Sequence, residues 1–519
     1  MGGKRVGFIL LVVLASLCLS QLSSIGRTSG SRVMAQDQVD DNVARSAIYL
    51  LKKSLEVDRS GRHNRMLSAI RHLRDPMLEP LFAQLAEASH PVLQIHGLLG
   101  LAEVSTMQKL DMVRVAMIND PAVQAQLVTA AMDSDLLNND DADQLLDWPD
   151  LDIGVKVLVA TRLVEAGRFT DLSLLHQVLE DEKLGRQGLA ALLLHQLGDT
   201  AGLKKLRAID VSSDATRDEV RQMIIEAALR HGFDNIGLWA CNISKTPGVD
   251  EQLGLLAMRA AMRFGQKQAY QLWQQQYHSA GDITQQTRLA IIALQLSPYL
   301  DAQLFDELLD SNDQLVRQIG RAGRAIANDS DDIADQIDSL IAMHHPLMNS
   351  WSLSYCRDHA GAGQAKLIYL TLILAYEKGP ESGRIKRLDI AVDAAQELYE
   401  LDPEHAAGLL STILADKRTK PDLRKGILLA LLRTHAAGAE TVVDQLLPFE
   451  DSASNNLALL LLAKHENVKL TKNQFKDLQI IVQGGGGLQD TLRVQAAWAY
   501  LKRTGQAHLA IVRMLDDFE

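Results

Sequence analysis

The chain is short of the residues on which most narrow chemistries depend. It has three cysteines in 519 residues, and one of them, Cys18, lies in an apolar leader. The other two, Cys241 and Cys356, stand 115 residues apart. With helical layers about 10 Å thick stacked between them, their Cα atoms would lie about 30 Å apart, beyond the roughly 7 Å that a disulfide tolerates. Two free, buried thiols are expected. Cys-x-x-Cys, His-Glu-x-x-His and Gly-x-Ser-x-Gly are all missing, which removes the common zinc, redox and hydrolase signatures; His465-Glu466 lacks its second His. Aromatics make up 4% of the chain, so stacking platforms for bases or sugars are scarce. Alternating strand patterns are nearly missing as well, and Leu478–Val482 is the only β-like run.

Long apolar runs are equally rare, and the one present is at the start. Val6 to Leu22 carries no charge, follows Lys4 and Arg5, and precedes a small-x-small-like site at Val33-Met34-Ala35. Residues 1–35 read as a signal peptide, cut after Ala35 or earlier near Ser20, or as an N-terminal anchor, since the run is at the lower limit for spanning a bilayer. Leu17 ahead of Cys18 fits a lipoprotein site poorly. Residues 36–519 read as soluble and exported, to periplasm, envelope or medium. The whole chain has 53 basic and 65 acidic residues; the leader holds four of the basic ones, which leaves the remainder at −16. Such an acidic body is a poor partner for nucleic acid, where binding depends on clustered Lys and Arg.

What is there is helix. Leu253, Leu256, Ala257, Ala260, Ala261 and Phe264 keep the spacing of one helical face, and Gly265 ends the run. Leu189, Leu192, Leu193 and Leu197 repeat the stripe, and Gly198 stops it. Asp75-Pro76, Asp120-Pro121, Thr246-Pro247 and Asp402-Pro403 read as N-cap and first helical residue, Pro91 and Pro421 as further helix starts, and Thr216-Arg217-Asp218-Glu219 as a capping box. Arginines opening Ala/Leu-rich helices, at Arg186, Arg217, Arg288, Arg317, Arg424 and Arg493, are spaced by 31, 71, 29, 107 and 69 residues, which fit multiples of about 34. A two-helix unit of that length predicts an all-α fold, an α-solenoid of stacked antiparallel helix pairs over 36–519, because one hairpin cannot bury its own apolar face. The Gly-rich stretches at Gly361-Ala362-Gly363 and Gly379-Pro380 allow a break within 345–385.

Two segments carry a family resemblance. Leu184 to Asp199 and Leu492 to Gly505 each hold an Arg, an Ala pair, a Leu and a closing Gly, and resemble the second helix of a HEAT repeat in its phycobilisome-lyase-like form. Ala391 to Leu414, with Leu401-Asp402-Pro403-Glu404, resembles a tetratricopeptide repeat instead. The resemblance implies paired antiparallel helices, a right-handed superhelix and a protein-binding surface.

Few side-chain groups stand out. Asp133 to Asp152 is rich in acids and amides; it reads as a solvated loop with helix caps, the alternative being a calcium site, although the calcium-loop Gly and Glu are not in place. Asp329 to Asp335 reads as a cap. His344-His345 with Cys356 and His359 reads as surface histidines and a buried thiol, against a zinc site that lacks a second ligand pair. Gly484 to Gly487 lacks the Lys-Ser/Thr of a phosphate loop and reads as a loop between helices. Trp148, Trp239, Trp273, Trp351 and Trp498 read as core. No catalytic, cofactor or metal residue is assigned. The expected function is a non-enzymatic exported scaffold that binds protein or peptide partners along a concave helical surface. Its alternatives are an enzyme or enzyme accessory with a pocket on a helical scaffold, and a self-associating structural component of the envelope.

Overall fold

The computed structural model describes residues 40–56, 62–105, 109–434 and 439–516, so the leader lies outside the described residues. Among the described residues the chain is all-helical, without a strand, and no helix is long and apolar enough to cross a membrane. Leu478–Val482 is helical after all. It is the end of helix Lys472–Val482, whose buried residues Phe475, Leu478, Ile481 and Val482 share one helical face, and that spacing outweighs the β preference of a short apolar run.

The contacts divide the chain into two units. One runs from Arg74 to Met343; the other combines the chain up to Leu73 with everything from His344 onward. Helices Pro346–Asp358 and Ala362–Lys378, in the stretch where a break was allowed, belong to this two-ended unit.

In the 74–343 unit, helices alternate between two roles. Pro91–Val104, Pro121–Asp133, Ile153–Glu165, Leu184–Gln196, Arg217–His231 and Glu251–Arg263 each pack against the next in this row; they are here called second helices. Helices such as Asn139–Leu146, Thr200–Asp210 and Gly237–Lys245 pair with them as first helices. Most second helices in the row end the same way. A residue in the left-handed region follows at Asp135, Gly167, Gly198, Gly232 and Gly265, that is, at intervals of 32, 31, 34 and 33 residues, and again at Asp329, 64 residues on, after helix Gln314–Ala327. The N–H of the next residue then reaches back five positions, as in Arg168 to Leu163, Asp199 to Leu194 and Gln266 to Ala261, at 2.8–2.9 Å. This closure satisfies a helix-end carbonyl that would otherwise be left open, and it favours Gly because no Cβ meets the preceding turn.

Helix starts follow the expected chemistry in part. Asp75, Asp120 and Asp402 cap helices that open on Pro, and Pro91 and Pro421 open helices. Thr246-Pro247 does not. Gly248 (φ 80°) follows Pro247 in a turn closed by Val249 N–H to the Thr246 carbonyl, and the next helix starts at Glu251 under Asp250. Nor does Thr216 form a capping box, because its hydroxyl and its N–H both go to Asp214 Oδ1. The boxes that do form are Asn138 with Asp141 and Thr471 with Gln474. Of the six arginines that suggest a period, Arg217, Arg317 and Arg424 donate to carbonyls of the loop just ahead, Arg493 to the carbonyl of Val482 at the end of the preceding helix, and Arg186 to Asp181 in the loop ahead of it and to Asp152. Exposed Arg288 makes an ion pair with Glu251 at 3.5 Å.

In the two-ended unit, Arg384–Leu401, Pro421–Arg433, Ser452–Lys464 and Asp490–Arg503 form a similar row. The row is then extended by the start of the chain: Asp41–Leu55 and Arg62–Arg71 pack on Asp490–Arg503. Val43, Ala47, Ile48 and Leu51 are buried from one end of the chain, and Val494, Ala497, Trp498 and Leu501 from the other. Tyr500 Oη accepts from Asp40 N–H at 3.2 Å and lies 3.4 Å from the Asp40 carbonyl, across 460 residues of sequence. Arg503 ties the row together. Its Nε donates to Ala463 O, Nη1 to Val468 O, and Nη2 to Leu462 O and His465 O, at 2.7–3.0 Å. The Leu462, Ala463 and His465 carbonyls close helix Ser452–Lys464, where a cation also favours the helix dipole, and Val468 lies in the loop beyond it.

Two predictions follow from this junction. Arg503→Met removes four charge-assisted bonds and should destabilise the two-ended unit by roughly 2–4 kcal/mol, seen first as lost amide protection at the end of helix Ser452–Lys464 in hydrogen exchange. Unchanged protection would contradict the role given to Arg503. Lys464, in the same turn, donates Nζ to Leu432 O at 3.0 Å, and burial pushes its pKa down to about 8 from 10.5. The folded chain thus holds this proton less tightly than the unfolded one. The penalty is complete below pH 8, and stability from this group rises as pH climbs from about 8 to 10.5. NMR of reductively methylated protein should show one lysine titrating near pH 8 that is missing from Lys464→Met.

Candidate functional site

The row of second helices in the 74–343 unit bears an open trough of about 440 Å³. Its lining comes from Pro121–Asp133, Ile153–Glu165, Leu184–Gln196 and Arg217–His231, and no first helix contributes to it. The trough therefore opens on the face of the row turned away from the first helices. Leu158, Leu189 and Met223 form a half-buried apolar floor, with Met132 at one end. Each of the first three lies nine residues before a left-handed glycine, Gly167, Gly198 and Gly232. The common helix ending fixes the register of each helix, and the register sets one apolar side chain per helix on the same line.

The rim is charged. His231 Nδ1 meets Glu165 Oε2 at 3.0 Å, joining helices two steps apart, and the His231 ring stacks on Phe233 at 5.5 Å. Arg162 reaches Asp135 at 3.9 Å, Glu226 accepts from Gln222 Nε2 at 2.8 Å, and Arg230 is exposed. An apolar line between charged walls can take up a segment that alternates apolar and polar side chains. A second hollow of about 370 Å³ lies among Ser244, Asp250, Gln276 and Arg288. Its acids are already engaged: Asp250 caps helix Glu251–Arg263, and Glu251 pairs with Arg288.

The segments singled out in the sequence have local structural tasks. In Asp133 to Asp152, Asn138 and Asp141 form a capping box, and buried Asp141 also pairs with Lys109. Asp140 and Asp143 both hold Arg168. Asp152 caps the next helix and accepts from Arg186 Nη2 at 2.9 Å. Asp135 is the left-handed residue that ends helix Pro121–Asp133. Asp329 plays the same part at φ 49°, and Asp332 accepts from Gln336 at 2.9 Å. Among the described residues no group of three or more His, Cys, Asp and Glu side chains is placed to hold one metal ion.

His345 and Cys356 stand near opposite ends of helix Pro346–Asp358, about 16 Å apart by helical rise, too far to share an ion. Burial lowers the pKa of both His344 and His345, and the Arg387 charge adds to the effect on His344. Cys356 is buried and its thiol is pushed up to about 12, and Cys241 is buried as well; both are unpaired. Trp239, Trp273, Trp351 and Trp498 are core residues, and Trp148 is half-buried. Gly484, Gly486 and Gly487 take φ of 100°, 79° and 67° in a loop between helices, pinned by Asn456 Nδ2 to the Gly486 carbonyl at 2.9 Å.

The trough is not legible in the sequence. Leu189 belongs to an apolar stripe there, but that Leu158, Leu189 and Met223 share a line depends on counting back from each helix end. No family model matches this chain, and no curated protein matches it. Among solved structures it is similar to a crystal structure of an engineered protein, at 14% identity over 76% of this chain and 98% of that one, with a TM-score of 0.20, too low to bear on fold or function.

Proposed function

We propose that this chain is an exported, non-enzymatic scaffold of HEAT-like helical repeats, an α-solenoid with a unit near 34 residues, that binds protein or peptide partners on the face of its second helices. The observation that carries the reading is the trough over four successive second helices, with its line of Leu158, Leu189 and Met223. The left-handed helix ends at 31–34-residue intervals support the repeat. So do polar contacts that reach about one unit along the chain: Arg186 to Asp152 and Arg263 to Leu229 O, both over 34 residues, and Gln274 to Glu307 over 33. Export rests on the leader from Lys4 to Ala35. A trough that is open and lined by one face of a helical row suits a chain segment better than an enclosed small molecule.

A photo-crosslinking residue placed at Leu189 or Met223 tests this. In envelope extract, both positions should give defined adducts, and Lys204, on a first helix, should not. Met223→Glu should weaken capture of the same partner by about tenfold or more at an unchanged melting temperature. Equal adduct yields at 189, 223 and 204 would contradict the assignment.

A further inference from the structure

Many arginines of the 74–343 unit end on carboxylates. Arg168 holds Asp140 and Asp143, Arg186 holds Asp152 and Asp181, and Arg221 holds Asp210 and Asp218. Three arginines, one lining the trough and two on the next helix of the row, have no such partner among the described residues. Arg230 lines the trough and is exposed. Arg263 occupies the same register on the next second helix, two residues before its left-handed glycine. Its Nη1 donates to the carbonyl of Leu229, the residue before Arg230, at 2.7 Å, and its guanidinium lies 4.8 Å from the Tyr299 ring centre. Arg259 is one turn earlier on the same helix, half-buried, with an Nε that meets no acceptor. Burial and then the Arg263 charge lower its pKa, so the two cations are close enough to oppose each other.

This is a local reversal of sign in a chain that carries −16 beyond its leader. Exposed charges act over about 8 Å at physiological ionic strength, so the distant excess of acid does not cancel it. A half-desolvated guanidinium beside a second one is unfavourable until an anion arrives, and arginine suits carboxylates through paired N–H donors. Of the carboxylates lining the trough, Glu165 meets His231, Glu226 accepts from the neutral Gln222, and Asp133 stands on helix Pro121–Asp133, at the other end from Arg230.

Taking the trough as the binding face, we propose that its occupant is an acidic peptide segment, with apolar side chains on Leu158, Leu189 and Met223 and carboxylates on Arg230, Arg259 and Arg263. A peptide is favoured over a polyphosphate because the floor is apolar and because Asp133, Glu165 and Glu226 on the rim repel an unbroken row of phosphates.

The test selects peptides from a random display library on the whole protein, on the variant Arg230→Gln/Arg259→Gln, and on Met223→Glu. The wild type should enrich peptides that combine Leu, Ile or Met with Asp and Glu, and the double variant should keep the apolar preference and lose the acidic one. A synthetic wild-type-selected peptide should bind the double variant about tenfold more weakly in fluorescence anisotropy, with the gap closing in high salt. Arg230→Gln alone, at an exposed position, should move affinity in the same direction and keeps the test decisive if the double variant misfolds. Peptides that depend on Met223 but show no excess of acid would overturn this proposal and leave the trough as a binding face. Peptides indifferent to Met223→Glu, or no enrichment at all, would remove the trough reading itself. A single-stranded oligodeoxynucleotide that binds as tightly as the selected peptide, and loses affinity in the double variant, would replace the acidic peptide with a polyphosphate.

Discussion

The covering of helix Asp490–Arg503 by the first described helices is the contact on which the two-ended unit depends. A helical hairpin buries only part of its apolar surface within itself and leaves the rest for a neighbour. A row of hairpins therefore ends in an apolar face that needs a cap. Here the cap on the last hairpin of the chain is the first one, Asp41–Leu55 with Arg62–Arg71, bonded at the seam by Tyr500 and Asp40. Residues 74–343 leave this unit after Leu73 and return to it at His344. The seam joins residues more than 400 positions apart, so it forms only when almost the whole chain is available, a high cost in loop closure that the burial of both faces must offset.

In the other unit the same packing rule builds a surface rather than a seam. The second helices pack side by side, and most of them stop at a left-handed residue, which fixes where the helix ends. Counting back from that stop places Leu158, Leu189 and Met223 in line. The trough thus follows from a shared helix ending: one residue per helix, chosen by register. Its chemistry comes from positions where the helices differ. Glu226 and Arg259 share a register on neighbouring helices and have opposite charge, whereas Arg230 and Arg263 share one and have the same charge, which is what leaves cations unbalanced at that end.

Much of the fold was legible because its signals are local. Apolar spacing gave the helices, and Gly198 and Gly265 marked ends that take the left-handed conformation. Asp135 and Asp329 do the same work without glycine, since Asp tolerates that region, and so were read as acids instead. Thr216 had the spacing of a capping box, but a competing acceptor at Asp214 lay outside the pattern. The acids of Asp133 to Asp152 read as a loop with helix caps, a shared ion being the alternative; in the fold they serve as caps and as partners of Lys109, Arg168 and Arg186, which come from other segments and could not be paired by inspection. Least legible were the features that depend on distant segments: the meeting of the two chain ends, the depressed Lys464, and the unpaired arginines, whose character lies in which carboxylates are missing nearby.

The most direct test of this account is a cut. A protease site inserted between Leu73 and Arg74 separates the first described hairpin from the rest of the chain without touching a described helix. After complete cleavage in native buffer, the fragment ending at Leu73 should co-elute with the remainder on size exclusion and separate from it only in denaturant. Separation in native buffer, with the remainder still folded, would contradict the claim that both ends of the chain build one unit.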